Sequence, residues 1–302
     1  MRRSKLSALA RSITLLVSVG APCLAQAADL LPPLPPEPLP PPIEIGGGWY
    51  LRGDVGVGAV EVSKIKTIIP GGGALPPAYG IDQKAVSEQY FAGGGVGYQF
   101  NAFLRGDITG EYRGGSRISF SDSFNAFDGN GRQIFDGQGR PYKSINFYNG
   151  NISSVVVMAN GYIDLGTWYG VTPFVGGGAG YAFHKMSGFH DVGAGGATGG
   201  FGYAPDKKSS SFAWAAQAGL AYAVTPNVSL ELAYRYMNLG TVKSGNVACF
   251  NDPGCGYVSY QAKEITSHDV KLGMRWLLGG VGVAALPPLA PSYEPGPLVR
   301  KY

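Results

Sequence analysis

Residues 228–236 read Val228-Ser229-Leu230-Glu231-Leu232-Ala233-Tyr234-Arg235-Tyr236, and their alternation decides the fold class. In an extended chain successive side chains point to opposite faces. Val228, Leu230, Leu232, Tyr234 and Tyr236 therefore share one face, and Ser229, Glu231 and Arg235 share the other. A helix would scatter Glu231 and Arg235 around its circumference. This is a strand set between an apolar medium and a polar one.

The period of two recurs in seven more segments. Residues 49–60 place Trp49, Leu51, Val55 and Val57 opposite Tyr50, Arg52 and Asp54, and 90–100 place Tyr90, Val96, Tyr98 and Phe100 opposite Gln99 and glycines. Residues 103–113 set Leu104, Ile108 and Tyr112 against Arg105, Asp107, Glu111 and Arg113. In 152–165, Val155, Val157, Ile163 and Leu165 face away from Ser154, Asn160, Tyr162 and Asp164. The segments 171–183 and 212–223 repeat the texture with more glycine and alanine. In 267–277, His268, Val270, Leu272, Met274 and Trp276 oppose Asp269, Lys271 and Arg275.

These eight segments have the length of tilted membrane-crossing strands. Asn101-Ala102, Gly166 to Gly170 and Val224 to Asn227 are tight turns, whereas 61–89, 114–150, 184–211 and 240–266 read as long polar loops. Short turns on one side and long loops on the other predict an eight-stranded antiparallel transmembrane β-barrel with periplasmic turns. A soluble β-sandwich also alternates, but the faces bearing Arg52/Asp54, Arg105/Asp107/Glu111, Glu231/Arg235 and Asp269/Lys271/Arg275 would then enter a hydrocarbon core. Inside a small barrel those ten residues pair as a lumen charge network.

Composition agrees. The 302 residues include 48 Gly, 18 Tyr and 14 Phe but only 15% charged residues, against about 25% in ordinary soluble domains. Residues 1–27 have the three parts of an export signal: Arg2, Arg3, Lys5 and Arg11, then the apolar run Ile13 to Val19, then Ala25-Gln26-Ala27, which predicts cleavage after Ala27. Those four basic residues account for the whole excess of 24 Lys+Arg over 20 Asp+Glu, so the net charge gives no reason to expect nucleic-acid binding. The expected organisation is a signal peptide at 1–27, a proline-rich periplasmic segment at 28–45, the barrel at 46–278 and a proline-rich tail at 279–302. Localisation to the cell outer membrane follows.

The chain resembles the small alphaproteobacterial outer-membrane proteins of the Omp25/Omp31 and opacity-protein type, within the OmpA-like eight-stranded barrel superfamily. The resemblance rests on Trp49-Tyr50-Leu51-Arg52-Gly53-Asp54, Gly95-Val96-Gly97-Tyr98-Gln99-Phe100, Asn160-Gly161-Tyr162-Ile163-Asp164 and Thr172-Pro173-Phe174-Val175 with its glycine run. Glu231-Leu232-Ala233-Tyr234-Arg235-Tyr236 and Asp269-Val270-Lys271-Leu272-Gly273-Met274-Arg275-Trp276 complete it. It implies the barrel and says little of function, since members share strands while their loops differ; outer-membrane lipid, lipopolysaccharide and the insertion machinery are the expected partners. Barrels of this kind often end at the aromatic of the last strand, but 26 residues follow Trp276 here.

No catalytic, cofactor-binding or metal site is expected. G-x-G-x-x-G, G-x-x-x-x-G-K-[ST] and H-E-x-x-H are all missing from the sequence. Ser267-His268 are neighbours on opposite faces of a strand, and His184 and His190 edge a glycine-rich stretch with too few companions for a metal. Cys249 and Cys255 flank Asn251-Asp252-Pro253-Gly254. In an exported protein they read as a disulfide. The expected function is structural: envelope integrity and presentation of surface loops to an unidentified ligand. An adhesin or haem receptor is the first alternative, a lipid A-modifying barrel enzyme the second.

Overall fold

The computed structural model describes residues 48–194, 200–250 and 258–278. The export segment, the proline-rich segments and Cys255 lie outside the described residues. The strands are β1 (Gly48–Ile68), β2 (Gly80–Val86), β3 (Gln89–Gln99), β4 (Leu104–Asn125), β5 (Lys143–Asp164), β6 (Val171–Ala194), β7 (Gly200–Tyr203), β8 (Lys207–Ala223), β9 (Val228–Lys243), β10 (Ala248–Cys249) and β11 (Ser259–Leu277).

Eight of these form a closed antiparallel ring in the order β1-β3-β4-β5-β6-β8-β9-β11 and back to β1. Closure leaves the eight-stranded ring without an open edge, which is what lets strands cross lipid. Leu232 lies opposite Leu220 on β8 and Leu272 on β11. The outward residues of the lower half form an exposed apolar belt with Trp49, Trp214, Tyr222, Tyr234 and Trp276 in it.

The long connections are not mainly loops. β4 and β5 stay paired up to Asn125↔Lys143, and β6 runs 24 residues, about 79 Å at ~3.3 Å per residue. Even at a tilt of 35–45°, that wall stands well above an apolar band of about 25 Å. The upper wall follows the opposite pattern to the lower: Ile118 and Phe120 are buried inside while Arg117 is exposed outside.

Bulges make the exchange. In β4 the apolar residues Ile108, Tyr112, Ile118 and Phe120 all sit at even positions, yet the first two face out and the last two face in. The register breaks between Arg113 and Ser116, where Gly115 adopts φ +78°, and the inserted residue turns every later side chain over. Gly188 at φ +59° does the same in β6, turning Phe189 inward. Gly240 and Glu264 have positive φ in β9 and β11, beside a register shift between those strands. All four lie just above the apolar belt.

Three short strands complete the upper wall: β2 pairs with β4 above β3, β7 with β6 above β8, and β10 with β7.

Candidate functional site

The lumen has two tiers. The lower tier is ionic, because the inward positions of β1, β4, β5, β9 and β11 carry charge. Arg52 reaches Asp54 at 2.9 Å, Asp107 at 2.7 Å and Glu231 at 3.2 Å. Arg105 lies 3.1 Å from both Asp164 and Glu231. Its Nη1 faces Glu231 without hydrogen-bond alignment, and the guanidinium instead stacks over Tyr162 at 4.2 Å and Phe174 at 4.7 Å. Lys271 lies 3.5 Å from Asp54, and Arg275 lies 3.3 Å from Glu231.

Higher up, Arg113 grips Asp269 with both terminal nitrogens at 2.8 Å and bonds Glu111 at 2.9 Å. Arg235 spans the same two carboxylates, at 2.7 Å and 2.9 Å. Both guanidiniums sit over the Phe91 ring. Arg52, Arg105, Arg113, Arg235, Lys271 and Arg275 thus balance Asp54, Asp107, Glu111, Asp164, Glu231 and Asp269. Bidentate guanidinium–carboxylate bonding and stacking offset the desolvation of buried charge.

All ten charged residues singled out from sequence therefore stand in the lumen in ion pairs. Arg113 and Asp164 join them. Both lie on the same polar faces, but their partners are set by register: Asp269 is 156 positions from Arg113.

The upper tier is apolar. Phe120, Tyr148, Phe189 and Tyr260, from four strands, pack with Phe120 stacked on Tyr148 at 4.6 Å and Tyr260 4.6 Å from Tyr148. Asp122 sits among them, ten residues past Tyr112 and well above the belt. It accepts from Tyr79 at 3.0 Å and Asn146 at 3.1 Å, with Tyr260 Oη at 3.3 Å. Burial pushes its carboxyl above the usual range, against the hydrogen bonds from Tyr79 and Asn146 that pull it down. Between the ionic and aromatic tiers Val156, Met158, Ala182, Ala213, Met237 and Leu239 are buried in one apolar cluster.

His184 and His190 do not converge. His184 is buried in the lumen, its Nδ1 2.7 Å from Ser154 Oγ and its Nε2 2.9 Å from the Leu239 carbonyl. His190 lies past the bulge, beside the Gly188 carbonyl at 2.9 Å. Ser154 and His184 are a serine–histidine pair that only the β5–β6 register brings together; both are buried, and they tie β5 and β6 to β9. Ser267 faces inward to Arg113 and His268 outward to Tyr234. Among the described residues, no cluster of three or more His, Cys, Asp or Glu side chains is arranged to hold a metal ion. Cys249, in β10, is disulfide-bonded.

A closed antiparallel ring that is apolar outside and ionic within is the architecture of an outer-membrane β-barrel protein. The sequence matches the family described as Outer membrane protein beta-barrel domain over residues 14–276, and the chain belongs to that family. An uncharacterized protein of Brucella abortus (strain 2308) is 31% identical over 300 residues, covering 87% of this chain and 94% of that protein. Outer membrane protein PagN of Salmonella typhimurium is 28% identical over 240 residues, covering 76% of this chain and 89% of its own length. Among solved structures, OprG from Pseudomonas aeruginosa aligns over 77% of this chain and 97% of its own, at 12% identity and a TM-score of 0.44.

Proposed function

We propose that this barrel is a structural protein of the outer membrane. It strengthens the envelope and presents its tall polar walls to the cell exterior, without catalysis and without a cofactor. The observation that carries this reading is the two-tier lumen: a barrel whose interior holds paired charges below and packed aromatics above is built to hold its shape. The strand motifs Trp49 to Asp54, Glu231 to Tyr236 and Asp269 to Trp276 support placing it with the Omp25/Omp31 and opacity-protein type. The reading includes cleavage after Ala27, delivery by the insertion machinery, and a bond between Cys249 and Cys255. A deletion strain should become more sensitive to detergents and leak periplasmic enzyme, and the intact gene should restore both. Unchanged sensitivity would remove the envelope role.

One observation favours a second reading, a surface binding protein. Phe147, Val192, Phe201 and Phe250 are exposed, and β5, β6 and β7 place the first three directly opposite one another high on the outer wall. Cell-adhesion assays on bacteria carrying Phe147→Ser and Phe201→Ser would separate the two readings.

A further inference from the structure

The outer wall of β4, β5, β6 and β8 carries two adjoining rows at the upper edge of the apolar belt. Tyr112, Val155, Phe183 and Ser210 lie opposite one another across the four strands. Tyr112 is 58% exposed, Val155 45% and Phe183 52%. Immediately above them runs Ser153, Lys185 and Lys208, again in direct register. Arg117 is exposed one step higher, opposite Asn151.

Two lysines directly opposite on neighbouring strands repel each other. Asp206 answers part of this, with its carboxylate 2.9 Å from Lys185 Nζ. Lys208 and Arg117 have no ion pair among the described residues. Three cations thus face one carboxylate on this wall. Between them Val155, Phe183, Lys185, Lys208 and Ser210 border a recess of about 450 Å³.

Apolar side chains directly beneath an under-neutralised cation pair form a surface for a molecule with acyl chains below and an anion above. The level matters as much as the charge, because the belt ends here. We propose that this wall holds a phosphorylated glycolipid of the outer leaflet, its acyl chains along Tyr112, Val155 and Phe183 and its phosphate on Lys185 and Lys208. Phosphate accepts charge-assisted hydrogen bonds from both ammonium groups and relieves their repulsion. The site deepens the structural role proposed above and rests on it: a lipid gripped by the wall ties the barrel to its surroundings.

The test uses the full mature chain folded in detergent micelles, with native mass spectrometry of bound bisphosphorylated lipid A against its fully dephosphorylated form. The wild type should retain the phosphorylated form preferentially. Lys208→Gln leaves the Lys185–Asp206 pair intact, and should reduce that preference about tenfold, the loss of one charge-assisted contact. Binding of the dephosphorylated form should not change. Asp206→Asn should strengthen retention, and free inorganic phosphate should not displace the lipid. Heat-modifiable gel migration reports whether each variant is folded; if Lys208→Gln fails that check, Lys208→Met is measured in its place. Equal retention of the two lipids, or a preference untouched by Lys208→Gln, overturns the site; displacement by inorganic phosphate alone overturns the lipid assignment. If the preference is found but the deletion strain has a normal envelope, the site stands and the structural role falls.

Discussion

Asp269→Asn tests how the ionic tier contributes to stability. Asp269 is fully buried and accepts from Arg113 twice, from Arg235 and from Ser267. Three of those bonds are charge-assisted, each worth about 1.5–3 kcal/mol. The full sum is not lost, since asparagine keeps one oxygen and Glu111 still bonds both arginines. What changes is that two buried guanidiniums share one carboxylate where they had two, and the amide turns its N–H groups toward cations. Removing one partner of a buried ion pair costs about 3–5 kcal/mol, and that is the expected loss. Urea titration of the barrel in phosphatidylcholine bilayers, followed by fluorescence of the outward-facing Trp49, Trp214 and Trp276, measures it. A loss below about 1 kcal/mol would refute the claim that pairing at Asp269 offsets the burial of these charges.

Other outcomes follow from the same geometry. Leu232, 55% exposed and mid-belt between Leu220 and Leu272, should cost about 2–4 kcal/mol as Leu232→Arg, and spin labels at 230–235 should alternate between oxygen and polar-quencher access. The fold favours the protonated form of Asp122. Its contribution to stability is therefore present below an unfolded value of about 3.9 and lost as pH rises through the higher folded value. Asp122→Asn should accordingly raise resistance of the upper wall to proteolysis at neutral pH and add nothing at about pH 3.5; an equal gain at both would contradict this. Non-reducing peptide mapping should recover Cys249 joined to Cys255, and the double serine variant should still insert, since a loop this short contributes only about 2–3 kcal/mol.

Much of this was legible in the sequence, and the part that was not has a physical cause. The lower half can be read from parity, as Leu230/Glu231/Leu232 illustrates, because one face meets lipid and the other meets charge. The upper half keeps the same parity in β4 but turns it over at Gly115, so 114–150 reads as a polar loop while Ile118 and Phe120 in fact line the lumen. A glycine in a glycine-rich chain does not announce a bulge. Arg52–Asp54 is a neighbour pair visible in sequence, whereas Arg113–Asp269 and Ser154–His184 depend on register. The aromatic tier was missed for the same reason, since its four rings come from four strands.

The balance of the ionic tier has an electrical consequence. Moving one elementary charge through 100 mV takes about 2.3 kcal/mol, so an interior of one sign would be pulled by any potential across the outer membrane. Here six cations and six anions are interleaved at bonding distance, and the force on each is cancelled by its neighbour. The ionic tier as a whole carries no net charge for such a potential to act on. Any substitution that removes a single member, Asp269 included, leaves the tier with one uncompensated charge on which the field can act.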